Sequence, residues 1–176
     1  MARLLLLLVL FASVGTAQAK DKLPVVVFAG AASQPPLEEA AETFQADTDI
    51  PVVLHLGGAG AMLNQVLLSG QGDLYIPGSS DYMQRAIDFG LVAGEPVNIA
   101  YLVPALIVAK GNPLGIESLD DLKRENLRIG LADPDGVCVG LYGIELLYAN
   151  HLLEAVRPKL KGMVESCAKA AAMVPL

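Results

Sequence analysis

The sequence predicts an α/β fold with mostly parallel sheets, and two observations carry that prediction. Continuous β-branched runs such as Val25-Val26-Val27-Phe28 have the composition of strands covered on both faces. Each such run leads through a turn of small residues into a segment with helical spacing. The first half of the chain therefore alternates β-α-β-α-β-α, the order of a parallel sheet with helical crossovers.

The first strand runs from Pro24 to Val27 and enters the stretch FAGAAS, Phe28 to Ser33. Pro35-Pro36 then opens a helix through Leu37 to Phe44. Proline is tolerated in a first turn because those N–H groups have no helical partner. Glu38, Glu39 and Glu42 suit the positive end of the dipole, and Leu37, Ala40, Ala41 and Phe44 share one face. Ile50 to Leu54 reads as the second strand, GGAG (Gly57 to Gly60) as its turn and Ala61 to Leu68 as the second helix. Asp73 to Ile76 reads as a third strand, and Ser79-Ser80-Asp81 caps a helix ending near Gly90.

The composition changes after Gly94. Val97 to Val103 and Leu106 to Ala109 are apolar and extended around Pro104. KGNPLG (Lys110 to Gly115) is a turn, and Ser118 to Asp121 resembles a capping box opening a short helix. Leu127 to Leu131 reads as a strand, ADPDGVCVG (Ala132 to Gly140) as a loop, and Leu141 to His151 as a helix. Val156 to Leu160 reads as a link, and a last helix begins near Cys167. The final residues carry no polar tail and no closing strand, so Leu176 reads as a cut end.

At the other end, Arg3, the apolar run Leu4 to Ala12 and the small-x-small triplet Ala17-Gln18-Ala19 form the pattern of a cleaved secretory signal. The apolar run is too short to cross a bilayer. The expected mature chain starts at Lys20. With 12 basic against 19 acidic residues the formal charge is −7, and no basic patch is visible, which disfavours nucleic acid and anionic membranes as partners. Tryptophan is absent and aromatics make up 5% of the chain, which argues against a sugar-stacking surface. Cys138 and Cys167 fit neither CxxC nor a zinc knuckle. In an exported chain they are either one disulfide or two packed thiols.

Three stretches share one design of strand, small-residue turn and helix: FAGAAS, LGGAG and DPDGVCVG, with ESC before Ala168 as a fourth candidate. Each presents free backbone N–H groups at the positive end of a helix, a ready place for an anion. In parallel α/β sheets these turns gather at the C-terminal edge of the strands. Such turns also occur in every α/β protein as plain connections. Other chemistry is weaker. GGAGAMLN lacks the lysine and Ser/Thr of a phosphate-cradling loop, and Asp133-Pro134-Asp135-Gly136 lacks the closing glutamate of a calcium loop. His55 and His151 have no ligand-like partners, and neither a Ser-His-Asp order nor a nucleophile elbow is present.

The series VFAGAAS, GGAGAMLNQV, GDLYIPGSSDYM, LVPALIVAKGNPLGIESLDDL and RIGLADPDGVCVGLYGIELL resembles the periplasmic molybdate-binding proteins of ABC importers. The likeness covers nearly all of the expected mature chain and keeps the motif order. It implies a type II binding-protein fold, two α/β lobes closing on a tetrahedral oxyanion. On that reading residues 1–19 are the signal peptide, 20–95 the first lobe and 96–176 an incomplete second lobe. The implied anion contacts are Ser33, Ala59 (where the family has a serine), Val139 and Cys167, supported by Gly58, Gly60 and Gly140. The family's late tyrosine contact has no counterpart, and Tyr142 does not replace it in position. If Val139 and Cys167 contact one anion, Cys138 and Cys167 become neighbours and a candidate disulfide. The resemblance implies a non-enzymatic, monomeric periplasmic protein that hands molybdate or tungstate to a membrane permease, with no cofactor besides that ligand, no directly coordinated metal cation and no nucleic acid. The competing readings are a receptor for sulfate, phosphate or another small solute, a secreted thiol enzyme using Cys138 or Cys167, and a truncated product without function.

Overall fold

The Val25–Gly30 run becomes β1, the middle of a three-stranded sheet ordered β2-β1-β3, with β2 at Val52–Gly57 and β3 at Leu74–Ile76. The computed structural model describes residues 22–174, so the expected signal peptide and its cleavage site lie outside the described residues. Both pairings are parallel, Val25 standing opposite Val52 and Val27 opposite Leu74. A central strand flanked on both edges buries its side chains on both faces, and Val27, Phe28 and Ala29 are buried accordingly. Helix α1 (Gln34–Thr48) connects β1 to β2, and α2 (Ala59–Ser69) connects β2 to β3. Each stops on a left-handed residue, Asp49 (φ 54°) and Gly70 (φ 61°). Helix α3 (Ser80–Asp88) follows β3.

A second, two-stranded parallel sheet pairs β4 (Ile129–Ala132) with β5 (Leu160–Val164). The crossover is α4 (Cys138–Ala149) followed by α5 (Leu153–Val156), and α6 (Cys167–Ala172) follows β5. Its core is Leu122, Leu127, Leu147, Leu152 and Val156. The capping box forms as expected: Asp121 Oδ2 accepts from Ser118 N at 2.9 Å and opens a 3-10 turn over Leu119–Lys123. The ammonium of buried Lys159 donates to the carbonyls of Leu122 and Arg124, tying that turn to the start of β5.

Three segments depart from the sequence reading. β1 continues to Gly30, so only Ala31–Ser33 remains as a 3-10 turn before α1. Helix α4 begins at Cys138 and not at Leu141, which moves Val139 and Gly140 from the expected loop into the first helical turn. The expected link Val156 to Leu160 holds the end of α5, a 3-10 turn and the first residue of β5. Lys161 and Gly162 had broken the apolar run that marks a strand. The apolar stretches Val97 to Val103 and Leu106 to Ala109 pair with no strand among the described residues, and Tyr101 and Val103 stand 86% and 88% exposed. They keep the apolar character read from the sequence but join no sheet.

Leu152 is fully buried at the centre of the second core. Leu152→Ala should therefore cost ~2–5 kcal/mol in denaturant unfolding. A loss under about 0.5 kcal/mol would show that this core does not hold the second sheet.

Candidate anion-binding site

Parallel strands deliver the start of every following helix to one edge of their sheet. Here those edges face each other. Gly60 N donates to Gly136 O at 3.0 Å, and Tyr82 Oη donates to Asp135 O at 2.7 Å. Tyr142 Oη donates to Asp81 Oδ2 at 3.0 Å. An apolar cluster of Ala59, Leu63, Tyr82, Ala86 and Cys138 runs through the same junction. Gly58 is the closest approach: a Cβ there would lie 2.6 Å from Glu165 O and 3.0 Å from Gly136 O. The turn after β2 thus sits directly on the turns after β4 and β5, and only glycine fits. The first residues of α6 in turn pack on the 3-10 turn after β1.

The two cysteines lie in the middle of this junction as free thiols, Cys138 buried and Cys167 half-buried. Their sulfurs are within hydrogen-bonding reach of each other. Backbone N–H groups surround them. Gly78, Cys138 and Val139 direct theirs at the Cys138 sulfur, while Val139 and Cys167 direct theirs at the Cys167 sulfur. N–H groups from three turns thus lie about the two sulfurs. The electrostatic result is visible in the thiols. The hydrogen bond from Cys167, helped by those N–H groups against the opposing effect of burial, brings Cys138 down to about 7. The same hydrogen bond, with burial, pushes Cys167 well up.

The residues singled out in the sequence fall around this point in different ways. Val139 and Cys167 contribute N–H groups to it. Ser33 is half-buried at the N-terminus of α1 and makes no capping hydrogen bond with its side chain. Ala59 is buried in the junction cluster, and its carbonyl accepts from Tyr75 Oη at 3.0 Å. Gly58 and Gly60 act by close approach: the Gly60 N–H is spent on Gly136. Gly140 lies against its own sheet, since a Cβ there would sit 2.3 Å from Ala132 O. Two neighbouring residues escaped the sequence reading. Gly78 supplies one of the four donors, and a Cβ on it would meet Cys138 Sγ at 2.6 Å. Ser79 Oγ is enclosed without a hydrogen-bond partner, the nearby Tyr142 phenol being committed to Asp81. The signal was present in PGSSD, the same strand–turn–helix design, but there the serines read as caps.

The rejected sites are plain structure. Asp133 Oδ1 accepts from Asp135 N at 3.0 Å, an ordinary aspartate turn, and His55 stacks on Phe28 at 4.6 Å. Among the described residues no three His, Cys, Asp or Glu side chains gather as a metal site, and no helix is long and apolar enough to cross a membrane. Two open grooves border α1, one lined by Glu39 and Asp47 and one, between α1 and β2, lined by Glu38, Glu42 and Asp49, the wrong charge for an anion.

The described chain is thus two parallel α/β units whose helix starts face one junction. The chain belongs to the bacterial extracellular solute-binding protein family, whose pattern matches residues 25–175. Among similar curated proteins, the molybdate-binding protein ModA of Mycobacterium tuberculosis is 29% identical over 115 residues, 65% of this chain and 44% of that one. A binding protein of Haemophilus influenzae is 28% identical over 117 residues, 65% of this chain and 46% of that one. The chain thus spans less than half the length of the curated relatives it matches. Similar solved structures include the periplasmic molybdate-binding protein of Azotobacter vinelandii, with TM-score 0.62 and 16% identity over 85% of this chain and 66% of that one. The periplasmic binding protein AfuA of Actinobacillus pleuropneumoniae, solved with fructose-6-phosphate, gives 0.60 and 20% over 86% and 61%. Likeness at that level defines the shared fold.

Two outcomes follow from this geometry. Because the Cys167 hydrogen bond is the largest cause of the lowered Cys138 value, Cys167→Ala should move the Cys138 titration upward from about 7. Thiolate absorbance at neutral pH should then fall, and an unchanged titration would show that the sulfurs do not interact. Gly58→Ala should destabilise by ~1–3 kcal/mol, as overpacking against backbone that has no rotamer to yield. A neutral effect on the melting temperature would mean the two sheets do not meet there.

Proposed function

We propose that this protein captures a small tetrahedral oxyanion, molybdate or tungstate, in the periplasm and delivers it to the membrane permease of an ABC importer. The observation that supports the reading is the meeting of the turns after β2, β4 and β5 at Gly58, with the Gly78, Cys138, Val139 and Cys167 N–H groups lying about the two cysteine sulfurs. Ser33, on the turn that packs against α6, supplies a hydroxyl and a further N–H to the same anion. The anion takes over donors that the cysteine sulfurs hold in its absence.

Neutral donors suit this task. Hydrogen bonds to a fully charged acceptor are short and about twice as strong as neutral ones. Donors fixed by helix starts need no reorganisation when the anion arrives. A net charge of −7 does not prevent binding, because exposed charges beyond about 8–10 Å are largely screened at ordinary salt. Size selects among tetrahedral anions, since a smaller one such as sulfate leaves some donors unpaired at ~1–3 kcal/mol each. Support for molybdate over other anions comes from the names of the mycobacterial relatives.

Calorimetric titration with molybdate, tungstate, sulfate and phosphate tests this. The expected result is saturable binding of the first two with weaker or no binding of the others. Ser33→Ala should weaken molybdate binding by ~1–3 kcal/mol, the loss of one hydrogen bond to a charged group. Preferential binding of phosphate or sulfate, or a Ser33→Ala protein that binds molybdate as well as the parent, would contradict the assignment.

A further inference from the structure

We propose that Cys138 and Cys167 form a reversible dithiol–disulfide couple that sets the affinity of the anion site, oxidised protein binding tightly and reduced protein weakly. The proposal rests on the preceding reading of the site and goes beyond it in naming how the site is regulated. Three observations carry it. The two cysteines come from different elements, the first residues of α4 and α6, and the turns that lead into those helices close on one point, a Cβ on Gly58 meeting Glu165 O at 2.6 Å and Val137 Cγ2 at 3.2 Å, which leaves the two sulfurs within hydrogen-bonding reach. Both are free thiols. The N–H groups that surround them are the donors assigned to the anion, so sulfur and oxyanion compete for one set of partners.

The two positions divide the chemistry of closure. Cys167 is half-buried and offers the more accessible sulfur, whereas Cys138 is buried behind Gly78 and carries the stabilised thiolate. With a small-molecule disulfide as oxidant, Cys167 exchanges first. Cys167 passes its proton to the Cys138 thiolate it is hydrogen-bonded to and, as the thiolate, attacks one sulfur of the oxidant; a mixed disulfide forms and one half of the oxidant leaves as a thiolate, which takes a proton from solvent. Cys138 then gives its proton to solvent and, as the thiolate, attacks the Cys167 sulfur. The Cys138–Cys167 bond forms, the second half of the oxidant leaves as a thiolate, and it takes up the proton that Cys138 has given to solvent. Two cysteine thiols are oxidised and one disulfide is reduced to two thiols.

Closure changes the site in two ways. A disulfide sulfur carries no charge and is a poor acceptor, so the Gly78, Cys138 and Val139 N–H groups are released for an oxyanion. The new bond also tethers the starts of α4 and α6, fixing donors that otherwise depend on non-covalent packing; pre-organisation of this kind favours binding by lowering its ordering cost.

The test equilibrates the full chain in buffers of reduced and oxidised glutathione. Closure is read by intact mass, and molybdate affinity is measured on the oxidised form and on protein reduced with a phosphine. The expected result is a loss of two hydrogens in oxidising buffer, reversal on reduction, and molybdate binding at least about tenfold tighter in the oxidised form. Cys167→Ser should abolish both the intramolecular closure and the redox dependence. Two alkylatable thiols in the most oxidising buffer would overturn the couple. A disulfide that forms while affinity stays equal or falls would overturn the regulation. If neither form binds molybdate, tungstate, sulfate or phosphate, the anion reading fails and the regulation with it, a result distinct from a failed closure because the mass reports closure independently.

Discussion

The structure depends on one constraint: the N–H groups at the start of a helix have no acceptor within the helix, and parallel sheets bring several such starts to one edge. Two sheets placed edge to edge then concentrate unmet donors in a small volume. Some are spent on holding the halves together, as where Gly60 N donates to Gly136 O. Four others, those of Gly78, Cys138, Val139 and Cys167, lie about the two cysteine sulfurs. On the proposed reading, these main-chain donors and not basic side chains hold the anion.

The junction that makes this possible is held by few contacts of high quality. Tyr82 is buried and reaches across to the Asp135 carbonyl, while the Arg85 guanidinium covers its ring at 4.7 Å. Ala59 and Cys138 share its cluster, so the packing that joins the two sheets also positions the site. Gly58 sets the distance of approach. Around this junction much apolar surface stays uncovered, from Phe44 on α1 to the extended stretch through Tyr101 and Val103. Exposed apolar patches of that kind favour association with other surfaces.

Much of the fold was legible because its signals are local. The β-branched run at Val25 to Phe28, the turn at GGAG and the capping box at Ser118 each act over a few residues, and each appears near where it was expected. Two kinds of feature were hidden. Strand β5 carries Lys161 and Gly162 within a short span, and its identity comes from pairing with β4, which no local pattern contains. The start of α4 was misplaced because Asp133 to Gly136 has turn chemistry on both sides of the true boundary. At the site, the turns themselves could be read, but their mutual placement could not. That Gly78 faces Cys138, and that the Ser79 hydroxyl is left unpartnered, follow only from the meeting of α3 with α4.

The central claim is that the N–H groups of Gly78, Cys138, Val139 and Cys167 form one anion-binding nest. The most direct measurement is an amide-resolved magnetic resonance titration with molybdate. The account predicts that these four amide resonances move together, saturate at one equivalent and shift more than those along the outer face of α1. Saturable shifts confined to other parts of the chain, with these four amides unmoved, would contradict it.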